Sequence, residues 1–172
     1  NRYHIGGSTL YRNRSSFGTE VQNTFLVGAD EAYQDGAILF YGLTKGAGRG
    51  SLQQDKREGA NNFGAFIQDE MSIGDKWTVL IGARHDNISY YYEGYYFSNG
   101  DPLLTERKTF KRVTPKLGLT YRISPTHSVY ASLGGGVEVP AGNETDPSGT
   151  VPGDTMNNIN PLLEPIRSTT IE

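Results

Sequence analysis

The chain has 172 residues, a formal net charge of −3, 22 glycines, 11 tyrosines and no cysteine. Its slight negative charge and the lack of a basic run longer than Lys111-Arg112 argue against nucleic acid, which needs a concentrated basic face. The absence of cysteine excludes a disulfide scaffold and any cysteine-ligated metal. No segment approaches the roughly 20 apolar residues that a membrane-spanning helix needs.

Apolar and polar residues alternate along several segments, which is the period of a β-strand with two different faces. Between positions 113 and 123 the odd positions read Val, Pro, Leu, Leu, Tyr and Ile, whereas the even ones read Thr, Lys, Gly, Thr and Arg. The segments that begin at Val21, Trp77 and Ser128 show the same division. No window of comparable length has the spacing of an amphipathic helix. The sequence therefore predicts an all-β fold.

Short and long connections alternate between the predicted strands. Tight turns are expected at Gly74-Asp75, at Pro125-Thr126 and near positions 15–18, because these residue types suit turns. Long loops are expected at about 35–57, 94–107 and 139–165. The prediction is an antiparallel meander of about seven long strands, at about 2–13, 19–34, 58–73, 76–92, 108–123, 127–138 and from near 167. Long strands with all short turns at one rim are typical of outer-membrane barrels.

Aromatic residues are expected to mark the two membrane interfaces. Trp77 stands at the turn end of its strand, and tyrosines crowd the other end between Tyr90 and Phe97. These are the positions of the two aromatic girdles of a barrel.

Several motifs carry a resemblance to one family. The run GAFIQDE at 64–70, DKW at 75–77 and GARHD at 82–86 resembles the barrels of TonB-dependent siderophore receptors, with His85 in place of the usual tyrosine. TPKLGLTY at 114–121, SVYAS at 128–132 and NPLLEP at 160–165 continue the resemblance in the same order. The resemblance implies part of a 22-stranded barrel in the bacterial outer membrane. Residues 1–172 are then expected to be a partial β-barrel without the plug domain and the C-terminal strand.

The alternation predicts which face of each strand contacts lipid and which lines the lumen. The odd positions Val113, Leu117, Leu119 and Tyr121 are expected to face lipid, and Thr114, Lys116, Thr120 and Arg122 the lumen. By the same register, the expected ligand-binding residues at the lumenal mouth are Arg84, Asp86, Tyr90, Tyr92 and Arg112. Cations and aromatic faces at a mouth suit an anionic, catecholate-like ligand.

The resemblance implies a transporter that imports a ferric siderophore, with TonB as a partner that acts through the plug domain. The alternatives are a passive porin or structural outer-membrane barrel without energised transport, and a soluble β-rich binding module. His4, His85 and His127 lack the spacing of metal ligands, and no catalytic pattern stands out. We therefore expect no enzyme activity, no metal site and no cofactor.

Overall fold

The computed structural model describes residues 2–46, 48–96, 104–138 and 164–172. They form one sheet of seven antiparallel strands in chain order, which confirms the predicted all-β meander. The strands are β1 (Arg2–Phe17), β2 (Val21–Thr44), β3 (Gly48–Ile73), β4 (Trp77–Tyr96), β5 (Leu104–Ser124), β6 (His127–Glu138) and β7 (Ile166–Ile171). Nowhere in the described ranges does a helix have the length and apolarity needed to cross a membrane.

The three short turns lie at one rim of the sheet. The turns predicted at Gly74-Asp75 and Pro125-Thr126 are present, and Gly74 has the positive φ of 56° that favours glycine. The turn expected near positions 15–18 lies instead at 18–20, because Gly18 with a φ of 65° is where the chain can reverse. The Gly74 amide donates a hydrogen bond of 2.6 Å to the carbonyl of Glu20, which joins two neighbouring turns.

The predicted loop at 35–57 is wrong, because both strands of the hairpin continue through it. β2 extends to Thr44, and β3 begins at Gly48. The ladder is regular as far as Phe40 opposite Gln54 and then shifts at two bulges. β4 and β5 likewise extend into the loop predicted at 94–107, of which 97–103 lie outside the described residues. Most of the loop predicted at 139–165 also lies outside them.

Pairing divides the sheet into an odd face and an even face. Each regular pair joins two odd or two even positions, for example Phe25 with Asp69 and Arg84 with Thr114, so numbers of one parity share a face across all strands. Over nine residues next to the turn rim, the odd face is mostly apolar. This apolar band contains Val21, Phe25, Val27, Ala29, Ala65, Ile67, Met71, Ile73, Trp77, Val79, Ile81, Ala83, Val113, Pro115, Leu117, Leu119 and Tyr121.

The length of the apolar band matches a membrane. A spanning strand needs about 9–11 residues when it is tilted. Aromatic residues border the band on both sides: the Trp77 and Tyr121 rings lie 4.4 Å apart at the turn rim, and Tyr33 and Tyr91 stack at 6.4 Å beyond the other edge. One polar pair interrupts the band, in which the Asn23 amide donates to the Asp69 carboxylate at 2.7 Å.

The described residues contain almost no hydrophobic core. Ala60, Tyr92 and Phe110 are the buried apolar residues, and no described side chain is less than 2% exposed. By contrast, Ile67 of the apolar band is 50% exposed. A soluble domain of this size buries far more apolar surface. The sheet therefore has the surface of a barrel wall.

Candidate ligand-binding site

The even face carries an ion-paired cluster at the level where the apolar band of the odd face ends. The Arg84 guanidinium donates two hydrogen bonds to the Asp30 carboxylate, at 2.8 and 2.9 Å, and its Nε donates to Asp86 at 2.8 Å. Asp30 lies on β2, two strands away, so the Arg84 side chain crosses β3 at Gly64. A Cβ on Gly64 would overlap a nitrogen of the Arg84 guanidinium. Glycine at this position therefore makes room for the cluster.

In this geometry the positive charge of Arg84 is already paired with the carboxylates of Asp30 and Asp86. Arg84 is compensated by two carboxylates, so the three side chains together carry one negative charge. Arg84 therefore offers an anionic ligand little attraction while the cluster is intact. The ligand-binding role predicted for Arg84 and Asp86 stays a prediction.

Arg112 has a different environment. It lies directly opposite Asp86 in the β4–β5 register, on the same even face. Its Nε is buried and has no hydrogen-bond partner among the described residues. A guanidinium presents five donors in a planar fork, so this buried donor is left unsatisfied while Arg112 keeps its positive charge on the even face.

An aromatic pair follows Arg112 along the even face. The Tyr90 and Phe110 rings meet edge to face, with centroids 6.2 Å apart. Lys108 lies on the other side of Phe110, with its Nζ 5.7 Å from the ring centroid. On this face β5 therefore presents a cation, an aromatic ring and a second cation in succession, at Lys108, Phe110 and Arg112.

An open depression of about 440 Å³ adjoins Tyr90. Its side-chain lining comes mainly from even positions: His4, Ala32, Gln34, Ala60, Asn62 and Ile88. Asn62 adds a buried amide oxygen without a hydrogen-bond partner. This volume lies within the range of small-molecule sites.

Tyr92 is less accessible than the sequence predicts. It is only 4% exposed, and the Nζ of Lys56, itself buried, lies 5.9 Å from its ring centroid. Lys56 is also 3.3 Å from Glu58, which forms an ion pair with Arg2 at 2.6 Å. Tyr92 therefore supports the wall of the site, and its role in ligand binding stays a prediction.

Tyr91 projects from the odd face, away from these residues. Its hydroxyl lies 2.9 Å from that of Tyr33, and the neighbouring Tyr3 hydroxyl donates to Asp35 at 3.0 Å. Arg57 binds both oxygens of Asp35, whose side chain is almost fully buried. This cluster lies beyond the apolar band. The Arg57 guanidinium lowers the pKa of the Asp35 carboxyl far below its usual range, whereas burial followed by the bond to Asp35 raises the pKa of Tyr91.

The structure thus places all five predicted site residues on one face, but they differ in burial, ion pairing and hydrogen bonding. Sequence analysis missed three neighbours, Asp30, Lys56 and Phe110. The register of β2 against β3 would have predicted Asp30, since it brings that residue opposite Gly64, where the Arg84 side chain crosses β3. Within the described ranges, no group of His, Asp and Glu side chains is arranged to hold a metal ion.

The chain is similar to known proteins both in sequence and in structure. The family model for the TonB-dependent receptor-like β-barrel matches residues 1–172. A solved structure of the ferric citrate transporter FecA, in the unliganded form, is similar with a TM-score of 0.64 and 19% identity. The similarity covers 79% of this chain and 20% of that chain, so the matched part is about a fifth of that transporter. At this identity the similarity shows the fold alone.

The family match extends over the entire chain, in agreement with the sheet geometry and the motifs. The barrels of this family are of the outer-membrane type. The chain belongs to the TonB-dependent receptor-like β-barrel family.

Proposed function

We propose that the protein containing these residues is an outer-membrane transporter that imports a ferric siderophore with energy delivered by TonB. The observation that carries the proposal is the family match over residues 1–172. The seven strands form about a third of a closed 22-stranded barrel, and TonB acts through a plug domain of the same receptor. Membership in a family of transporters also favours transport over catalysis.

In this proposal the odd face contacts lipid and the even face lines the lumen. Two observations support the assignment: the odd face carries the exposed apolar band, and the even face carries the Arg84 cluster, Arg112 and Lys116. Arginine and lysine side chains on a lipid face cost about 2–4 kcal/mol each near the bilayer middle. The free edges of β1 and β7 require further strands, because unpaired backbone groups in lipid cost several kcal/mol each.

The ligand-binding surface is the even face beyond the apolar band. Arg112 supplies a positive charge and has a buried Nε without a hydrogen-bond partner among the described residues, and Tyr90 and Phe110 supply aromatic surface beside the depression. Siderophores bind iron through anionic oxygen atoms, so their ferric complexes suit a cation next to aromatic rings. The similar transporter is named for ferric citrate, which is also a small anionic ferric complex.

A matched pair of variants tests the ligand site in the full-length receptor. Arg112→Gln removes one cation from the even face of β5, whereas Arg107→Gln removes one from the odd face of the same strand. The dissociation constants for ferric citrate and for a ferric tricatecholate are measured by fluorescence quenching. Loss of a charge-assisted hydrogen bond weakens binding of the cognate complex about tenfold or more in the first variant. The second variant stays within twofold of wild type, and equal effects would contradict the site.

Energy coupling is tested separately by the uptake of radioactive iron. Cells that carry the receptor take up the complex at nanomolar concentration, and cells that also lack TonB do not. Equal uptake in both strains would show a passive porin.

A further inference from the structure

β5 carries positive charges on both faces at its end away from the turns. Lys108 and Arg112 lie on the even face, and Arg107 and Lys111 lie on the odd face. Arg107 and Lys111 are both exposed. Because the ligand approaches the even face, the two odd-face cations have no part in the proposed ligand site.

Arg107 and Lys111 lie at the level of an outer-leaflet headgroup. Val113 is the last apolar-band residue on β5, so Lys111 is the first odd-face residue beyond it. For strands tilted by about 40°, Lys111 lies roughly 5 Å past the band and Arg107 roughly 15 Å. Their long side chains can reach back toward the membrane surface. Arg107 also pairs directly with Tyr91 of the tyrosine border.

Within the described residues, no acidic side chain lies within ion-pair distance of these two cations. Asp35 is bound by Arg57, and Glu31 accepts a hydrogen bond of 3.1 Å from Asn61. Glu93 lies opposite Arg57 in the register. Among the described residues, neither Arg107 nor Lys111 forms an ion pair.

A pair of hydroxyl groups lies between the two cations. Thr109 occupies the odd position between Arg107 and Lys111, and its hydroxyl lies 2.7 Å from that of Ser89 on β4. Thr109 is exposed and Ser89 is half-buried, and their hydrogen bond is exposed, so both hydroxyl groups can take part in further hydrogen bonds. The surface therefore combines two cations with hydroxyl groups.

We propose that Arg107, Thr109 and Lys111 bind the phosphorylated headgroup of a lipid in the outer leaflet. This inference rests on the proposed function for which face meets lipid. A phosphate oxygen accepts hydrogen bonds from a guanidinium fork, an ammonium group and a hydroxyl. The position next to the apolar band selects a lipid as the occupant, since acyl chains cover the band below. A lipid bound there attaches the outer rim of the receptor to its own leaflet.

The test measures lipid binding to the full-length receptor in a nonionic detergent at low salt. The probes are lipid A with both phosphates, the same lipid after dephosphorylation, and inorganic phosphate. The test variant is Arg107→Gln with Lys111→Gln. Its control is Lys108→Gln with Arg112→Gln, which removes the same charge from the other face of the same strand.

Each surface cation contributes about fivefold to binding of an anionic lipid, so the test variant binds phosphorylated lipid A about 25-fold more weakly than wild type. The control stays within twofold, and dephosphorylated lipid binds wild type at least tenfold more weakly. The single variants Arg107→Gln and Lys111→Gln each lose about fivefold, which keeps the test decisive if the double variant does not fold.

Three outcomes would overturn the inference: equal loss in both double variants, equal binding of both lipids, or displacement of the lipid by millimolar inorganic phosphate. The test variant should keep wild-type affinity for the ferric complex. If the wild-type receptor binds both lipids equally but still takes up the ferric complex with TonB, this inference alone fails. Intact lipid selectivity without TonB-dependent uptake would defeat the proposed function alone.

Discussion

Arginine substitutions at Ile67 and Gln68 test the two faces near the middle of the apolar band. These neighbours on β3 lie on opposite faces. Ile67 is six residues from Ile73 at the turn edge of the band, which is roughly 15 Å across a band about 25 Å tall. Ile67→Arg should therefore destabilise the folded receptor by about 2–4 kcal/mol, because the arginine faces hydrocarbon.

Gln68→Arg is the matched control at nearly the same depth. The Gln68 side chain lies over Gly82, beside a depression of about 380 Å³ that has space for a longer side chain. Lys116 lies two strands away, roughly 10 Å, where repulsion through water is below about 1 kcal/mol. Urea unfolding of the full-length receptor in lipid vesicles measures both changes. Equal losses, or a larger loss for Gln68→Arg, would refute the assignment of the faces.

Two further predictions concern charges and close approach. Asp35→Asn should lower the melting temperature of the receptor at pH 7, because it breaks the ion pair with Arg57. The pKa of Asp35 is lowered, so the pair stabilises the fold above about pH 4 and is lost only as pH falls toward the folded-state pKa; melting curves of variant and wild type should converge only in strong acid. Gly64→Ala should destabilise the receptor by about 1–3 kcal/mol in urea unfolding, because the new methyl group displaces Arg84 from its carboxylates. Gly134→Ala is the control, since a Cβ there meets no atom within 4 Å, and equal losses would contradict the role of Gly64.

The sequence predicts the strands best where the two faces have different surroundings. Between Val113 and Tyr121 one face must be apolar and the other polar, so the period of two is visible without any knowledge of the pairing. The turns at Gly74 and Pro125 are equally predictable, because few residue types suit such short connections. Both features depend on local chemistry.

The outer half of the β2–β3 hairpin was not predictable in this way. In the proposed orientation the odd face no longer meets hydrocarbon beyond the apolar band, so Asp35 and Arg57 can occupy it and the alternation disappears. The strands continue there because backbone hydrogen bonding does not require an apolar face. A polar segment such as 45–57 therefore resembles a loop in sequence although most of it is strand.

The candidate site was predictable as a face but not as a set of contacts. Parity places Arg84, Tyr90 and Arg112 together without further information. The bond between Arg84 and Asp30 joins positions 54 apart in sequence and skips one strand. It depends on the length of the β2–β3 hairpin, which sets the register, and on the missing side chain at Gly64.

The described residues bury almost no hydrophobic core, which explains how one wall could carry the two proposed binding surfaces. In a globular domain, side chains on the inner face are constrained by close packing, so charge there is expensive. In this sheet backbone hydrogen bonds hold the strands together. Each face therefore meets its own surroundings and can carry its own set of side chains. Lys108 and Arg112 can therefore serve the even face while Arg107 and Lys111, in the same short segment, serve the odd one. Substitutions on one face of β5 should leave the other unchanged, which is why the two pairs of glutamine variants control for each other.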